Sequence, residues 1–129
     1  MQNTLSPIHI NQLQSRQLLA KATGEPLSLV KSLSAAFALK NVQIHHETLL
    51  VGTKASSAHF HTQKEELIFV LTGNPSARIN GEVLRLKPGD ALGFAAGIGF
   101  AHYVFNDMDK PASYLSVGTN AEADEVIYV

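Results

Sequence analysis

The chain has 129 residues, 45% of them apolar, with 10 Lys plus Arg against 11 Asp plus Glu and a formal net charge of −1. That length suits one domain around a single core, and the charge balance leaves no basic surplus for nucleic acid or an anionic membrane, so a small molecule is the expected partner. The absence of cysteine removes disulfides, thiolate nucleophiles and Cys-rich zinc sites, leaving nitrogen and oxygen as the donors for any metal.

At the amino terminus, MQNTLSPIHINQLQSRQ is too polar for a signal peptide, and no apolar run approaches the roughly 18 residues of a membrane span, so a cytoplasmic location is expected. Ile8 and Ile10 alternate as in a short strand. Residues 11–22 (NQLQSRQLLAKA) have helix-forming composition, which predicts an extended segment followed by one or two helical turns. Gly24 and Pro26 break that pattern. Leu27, Leu29 and Leu33 then fall on odd positions, as in an edge strand. Residues 1–36 are read as an N-terminal arm without a chemical constellation, and residues 37–129 as a barrel. Residues 42–51 (VQIHHETLLV) alternate as a strand, so the neighbouring His45 and His46 point to opposite faces and only one can see a cavity. A lone histidine is more often an ordinary hydrogen-bonded residue than a ligand, and His9 fits no pattern.

Chemistry concentrates in residues 52–73, GTKASSAHFHTQKEELIFVLTG. His59 and His61 are two apart, so on a strand both imidazoles point the same way and can reach one ion. Glu66 follows at the start of ELIFVLTG, a run rich in β-branched and aromatic residues that reads as a buried strand ending in a turn. Next, Asn80-Gly81 between two alternating runs predicts a type I′ hairpin. Its register sets Ile79 against Glu82, Arg78 against Val83 and Ala77 against Leu84, placing Ala77, Ile79, Leu84 and Leu86 inside, and Arg78, Arg85, Lys87 and Val83 outside.

Beyond the 87–90 turn, a strand over 91–94 and a small-residue loop over 95–99 lead to His102. This residue shares a face with Val104 and Asn106, while Tyr103 and Phe105 point the other way. The aspartates of residues 106–111 belong to a solvated turn, since the glycine and terminal glutamate of a calcium loop are missing. Residues 112–119 are a further strand. In the acidic-then-apolar tail AEADEVIYV, Val126 and Tyr128 are set to dock on the barrel or on a neighbour.

Gly52, His59-x-His61, Glu66 and Gly73, followed by PGDALGFAAGIGFAHYVFN with His102-x-x-x-Asn106, closely resemble the two motifs of the cupins. The likeness covers about half the chain. Looser agreement at FALKN and YLSVG points to a subgroup of small uncharacterised single-domain cupins, and Ala95 stands where the family usually has proline. The resemblance implies an all-β fold, a double-stranded β-helix or jelly-roll barrel of roughly ten strands carrying the N-terminal arm. It also implies that His59, His61, Glu66 and His102 hold one divalent transition metal ion, with Fe²⁺, Mn²⁺, Ni²⁺, Co²⁺, Cu²⁺ and Zn²⁺ all compatible with such a donor set. A metal-dependent enzyme is then expected, either an isomerase or epimerase of sugar-like substrates or a dioxygenase. The competing reading is a non-catalytic metabolite-binding or sensory module. No general acid or base stands out, although His46 and Glu47 come into question with the right register. The arm and the apolar tail, left over once a barrel closes, predict a homodimer.

Overall fold

The computed structural model describes residues 6–129. Eleven strands are present among them: β1 (Arg16–Leu19), β2 (Pro26–Ser32), β3 (Val42–Leu49), β4 (His59–His61), β5 (Glu66–Thr72), β6 (Ser76–Ile79), β7 (Glu82–Arg85), β8 (Ala91–Phe94), β9 (His102–Phe105), β10 (Ala112–Thr119) and β11 (Val126–Tyr128). A one-turn helix, α1 (Leu33–Ala36), follows β2 and is capped by the Ser32 hydroxyl accepting from the Ala35 N–H. The strands form a six-stranded sheet in the order β1-β2-β3-β10-β5-β8 and a five-stranded sheet in the order β11-β4-β9-β6-β7. All pairs are antiparallel. This two-sheet jelly roll brings together segments that lie far apart in the chain.

Alternation along each strand puts one side chain in two into the interior. Across the six-stranded sheet the register aligns the inward side chains in rows. One row runs Arg16, Val30, Glu47, Tyr114, Val70, and the next runs Ser32, His45, Ser116, Ile68, Leu92. The core is a cluster of Leu49, Ile68, Val70, Ala77, Leu86, Val104 and Tyr114, with Ala55, Ile79 and Leu92 packed against it. It occupies one end of the space between the sheets, and the polar members of the rows occupy the rest.

Turn chemistry fixes the hairpin. Asn80 (φ 52°) and Gly81 (φ 88°) both lie in the left-handed region, and the register of β6 with β7 is the one the turn dictates. One of its expected core residues is corrected. Leu84 is 43% exposed, because β7 is the outermost strand of the five-stranded sheet and nothing packs over that part of it. Gly73 cannot be replaced cheaply, since at φ 76° a Cβ would come within 2.7–2.8 Å of Pro111 and Ala112.

The N-terminal region needs a larger correction. Where composition favours helical turns over residues 11–22, the chain forms only a 3₁₀ turn, Ile10–Gln12, and then β1. His9 closes that turn, its Nδ1 accepting from Asn11 while Gln12 caps the His9 N–H. β1 and β2 extend the six-stranded sheet, and β2 is an interior strand between β1 and β3, not an edge. Backbone pairing with an already formed sheet outweighs a helix propensity worth only a few tenths of a kcal/mol per residue.

Asn106 shows how the loops are tied down. It is 2% exposed. Its side-chain amide donates to the Leu49 (3.0 Å) and Lys110 (2.8 Å) carbonyls, and its Oδ1 accepts from the Met108 N–H. Around it, Gly52 N–H bonds the Asn106 carbonyl, Asn106 N–H the Thr53 carbonyl and Ala55 N–H the Val104 carbonyl, lacing residues 52–55 onto β9. Asn106→Ala would leave two buried carbonyls and an N–H without partners, each costing about 1–3 kcal/mol. Urea denaturation of the variant is expected to show a loss of about 3 kcal/mol, and a loss below about 1 kcal/mol would contradict this account.

Candidate metal centre and cavity

β4 and β9 are neighbours in the five-stranded sheet, and their register sets His59 directly opposite His102. Both rings, with that of His61, therefore face inward from one sheet. The His59 ring centroid lies 5.0 Å from that of His61 and 5.1 Å from that of His102. Glu66, the first residue of β5, reaches toward them from the facing sheet. Its Oε1 is 3.1 Å from His61 Nε2 and 3.4 Å from His102 Nε2. Ligand atoms of His59, His61 and Glu66 all lie within 4.8 Å of one another, a cluster able to hold a metal ion. Phe94, opposite Glu66 on β8, lies flat on the His102 ring at 3.6 Å and limits its movement.

The outer nitrogen of each ring is already committed. His59 Nδ1–H donates to the Ser57 carbonyl (2.8 Å) and lies 3.2 Å from the Ser56 hydroxyl. His102 Nδ1–H donates to the Phe100 carbonyl (2.9 Å), and His61 Nδ1–H to Asp124 Oδ2 (2.7 Å). Carbonyl and carboxylate acceptors require the ring proton on Nδ1, which leaves the inward Nε2 atoms as lone-pair donors. Burial holds the His59 ring below the usual imidazole range, against weaker contributions from Ser57 and Glu66, so it stays neutral and able to bind a cation.

Glu66 Oε1 is buried and lacks a hydrogen bond among the described residues. Burial works to raise its carboxyl, but His102 and the charges of His61 and Lys64 outweigh it and hold the group below its ordinary value. A buried acceptor without a donor, aimed at the inward nitrogens of the imidazoles, fits a metal ion.

Asp124 was invisible to sequence reasoning. It lies in the tail, 63 residues after His61, and no local spacing links the two. Its Oδ1 also accepts from the backbone N–H groups of Gln63 and Lys64, at 2.9 Å each. Burial opposes its ionisation, yet the Gln63 N–H, His61 and the Lys64 N–H hold the carboxyl at about 2. Strand β11 brings it there, pairing Val126 with His61 and Tyr128 with His59.

A cavity of about 180 Å³ opens beside the cluster, lined by His59 and His102 from the five-stranded sheet and by Glu66, Ile68, Phe94, Glu47, Tyr114 and Ser116 from the six-stranded sheet. It lies below the usual range for drug-sized ligands, which implies a small occupant. The register answers the question left open between His46 and Glu47. Glu47 pairs with Tyr114 and faces the cavity, whereas His46 pairs with Leu115 on the outer side. Glu47 Oε1 accepts from the Ser28 hydroxyl (2.7 Å) and the Tyr114 hydroxyl (2.9 Å). Complete burial, and then the charge of Glu47, push the Tyr114 hydroxyl well above its ordinary range, so it remains a donor. Ser28 and Tyr114 carry no motif, and only the pairing of β2, β3 and β10 reveals them. Tyr103 faces away with Phe105 (ring centroids 5.7 Å), beneath the Lys54 ammonium. The aspartate turn is structural, Asp107 bonding the Arg85 guanidinium at 2.7 and 3.2 Å.

Among solved structures, the chain superposes on a candidate sugar phosphate isomerase from Acidithiobacillus ferrooxidans with a TM-score of 0.85 at 26% identity, covering 92% of this chain and 76% of that one. A sugar phosphate isomerase of the cupin superfamily from Silicibacter pomeroyi gives 0.86 at 22% identity, covering 96% and 82%. The polyketide cyclase RemF from Streptomyces resistomycificus gives 0.78 at 17% identity, covering 98% and 86%. The last two likenesses, at so low an identity, concern the fold alone. A search of functionally curated proteins found no match. The Cupin domain family matches residues 45–118, more than half the sequence and the part that carries His59, His61, Glu66 and His102; the chain belongs to the cupins.

Proposed function

We propose that this cupin is a metal-dependent enzyme that isomerises or epimerises a small sugar-like hydroxycarbonyl compound. The observation that carries the proposal is the presence of two carboxyl groups in different settings beside one small cavity. Glu66 points at the imidazoles, while Glu47, two strands away on the same six-stranded sheet, lines the cavity with two hydroxyl donors and is not part of the cluster. His59, His61, Glu66 and His102 would hold one divalent ion of the manganese-to-zinc series. Bound there, the ion supplies Lewis acidity that polarises a substrate carbonyl. Glu47 supplies the proton transfer that such a rearrangement also needs. Its Oε2, without a protein partner among the described residues, takes the proton from the carbon next to the carbonyl and returns it to the former carbonyl carbon, while the proton of the neighbouring hydroxyl passes to the former carbonyl oxygen. Tyr114 and Ser28, both donating to Oε1, hold the carboxyl in place, and the apolar wall of Phe94 and Ile68 keeps bulk water away. The sugar phosphate isomerase name of the structural relative from Acidithiobacillus ferrooxidans agrees with this reading.

A homodimer completes the proposal. Outward side chains of the six-stranded sheet form an apolar surface of Ile44, Leu67, Phe69, Leu115 and Val117, and Leu67 and Phe69 are 41% and 38% exposed. A second copy is the natural cover for such a face. Sedimentation at about 20 µM, a concentration at which micromolar association is already populated, is expected to show a dimer, and monomer alone would exclude it.

Two experiments test the chemistry. Stripped protein reloaded with each candidate cation is expected to take up one ion per chain by mass spectrometry, and His59→Ala, His61→Ala, Glu66→Ala and His102→Ala to bind much more weakly. Asp124→Asn is the sharper variant. The asparagine oxygen can still accept from Gln63 and Lys64, but its amide donates to His61 Nδ1 and shifts the ring proton to Nε2. Metal affinity should therefore fall about 10–100-fold with little loss of stability, whereas His46→Ala changes nothing. In the second experiment, metal-loaded protein is incubated with a panel of aldoses and ketoses in deuterated water. Wild type is expected to wash deuterium into the carbon beside the carbonyl, and Glu47→Gln to lose this by at least about 100-fold while keeping its metal. Tyr114→Phe should slow exchange less and lower stability by about 1–2 kcal/mol. Metal uptake without exchange on any sugar would favour a non-catalytic binding module.

A further inference from the structure

The hairpin arginines and Lys87 lie on the outside of the barrel, whereas another exposed arginine stands at the end of an inward row. Arg16, on β1, pairs with Val30, which pairs with Glu47, so the guanidinium begins the same inward row that ends at Tyr114 and Val70. In the adjacent row, Ser32 pairs with His45 and His45 with Ser116. Glu47 and Ser116 line the cavity beside the metal cluster. Arg16, Ser32 and His45, with Gln14, line an adjoining hollow of about 310 Å³ that Val30 and Ala35 complete. The two spaces are neighbouring sectors of one sheet face.

The donor inventory of the hollow is one-sided. It offers a guanidinium, an imidazole, an amide and a hydroxyl, and no carboxylate lines it. Arg85 is neutralised by Asp107, whereas Arg16 has no ion pair or hydrogen bond with any described residue, and neither has the His45 ring. A third basic group approaches from the other side. Lys64 Nζ donates to Gln43 Oε1 at 2.7 Å, and its side chain passes over Gly118, the one position in that row without a Cβ to block it. Burial lowers the His45 imidazole, Glu47 pulls the other way, and Lys64 and Arg16 add smaller lowering contributions. Unpaired positive charge around a partly enclosed space is completed by an anion, and a planar guanidinium fork suits an oxyanion best.

We propose that Arg16, His45, Ser32 and Gln14 form an anion subsite that binds the terminal phosphate or carboxylate of the substrate whose carbonyl end lies at the histidine–glutamate cluster. The placement fits one small molecule spanning both. His45 on β3 and Glu66 on β5 are separated by a single strand, β10, so the near edge of the subsite lies about two strand spacings, roughly 10 Å, from Glu66 across the sheet, and the backbone of Arg16 on β1 stands two spacings further out. A sugar-sized chain with a terminal charge covers the distance to His45, and the long Arg16 side chain is the group that would have to reach its charged end. This substrate class rests on the metal-dependent reading above, whereas capture of the anion itself does not.

The test uses full-length protein in two forms. In metal-reloaded protein, calorimetry compares glucose 6-phosphate, glucuronate and glucose. At least one of the charged sugars is expected to bind about tenfold or more tightly than glucose, as one charge-assisted contact allows, and the two charged sugars tell phosphate from carboxylate. Arg16→Gln is expected to remove the preference without changing metal content, and His45→Gln to weaken it. Arg78→Gln, on the exposed face of the hairpin, serves as the unaffected control. In metal-stripped protein, inorganic phosphate is titrated while the Arg16 side-chain and His45 ring resonances are followed by NMR, with shifts expected in wild type and absent in Arg16→Gln. If metal fails to load but these shifts appear, the enzyme reading falls and the anion subsite stands. If neither charged sugar outbinds glucose and phosphate leaves both resonances unmoved, or if Arg16→Gln retains the wild-type response, the subsite is refuted.

Discussion

Three imidazoles can present bare nitrogens to one point only if something on the far side of each ring takes its proton, and that constraint organises the periphery of this barrel. Each acceptor comes from a different segment. The Ser57 carbonyl is held by the lacing of residues 52–55 onto β9, the Phe100 carbonyl by the loop that crosses behind β4, where Gly97 N–H bonds the His61 carbonyl, and Asp124 by the docking of β11. Loops that look like connections are the outer half of the site. Loss of any one of them frees a ring to choose the wrong tautomer, although no cluster residue has changed.

The facing sheet meets a different requirement. Its inward rows combine bulky apolar residues near the core with small or polar ones near the cluster, so that Ser28, Ser32, Ser116 and Gly118 leave room where Leu49 and Val70 close it off. Room alone would be filled by water. The hydroxyls of Ser28 and Tyr114 instead fix the Glu47 carboxyl in one orientation.

Features encoded by neighbours in the chain were legible from the sequence. His59-x-His61 needs only strand alternation, the Asn80-Gly81 hairpin needs only its turn residues, and the run from Glu66 needs only β-branched composition. What escaped was set by pairing between distant strands. Glu47 becomes a cavity residue, and His46 an outer one, through the register of β3 with β10; Arg16 joins an inward row because β1 pairs with β2; Asp124 reaches His61 across 63 residues. The N-terminal region was misread for a related reason. Its helix-forming composition is a weak local preference, and a sheet already formed by β2 and β3 offers the backbone a complete set of partners on one side. Leu84 marks the reverse limit, where the register was right but sequence could not show that β7 lies uncovered at the margin of its sheet.

The position of Asp124 also sets a timetable. A growing polypeptide exposes His59 and His61 early, and by themselves these two rings offer a cation four nitrogens and no fixed choice among them. The facing carboxyl of Glu66 comes next and His102 well after it, but the clamp on His61 exists only once residue 124 has been made and β11 has settled against β4. If the cluster holds a cation as proposed, selectivity would belong only to the barrel with β11 in place, and a ribosome-bound fragment lacking that strand would hold ions loosely and indiscriminately.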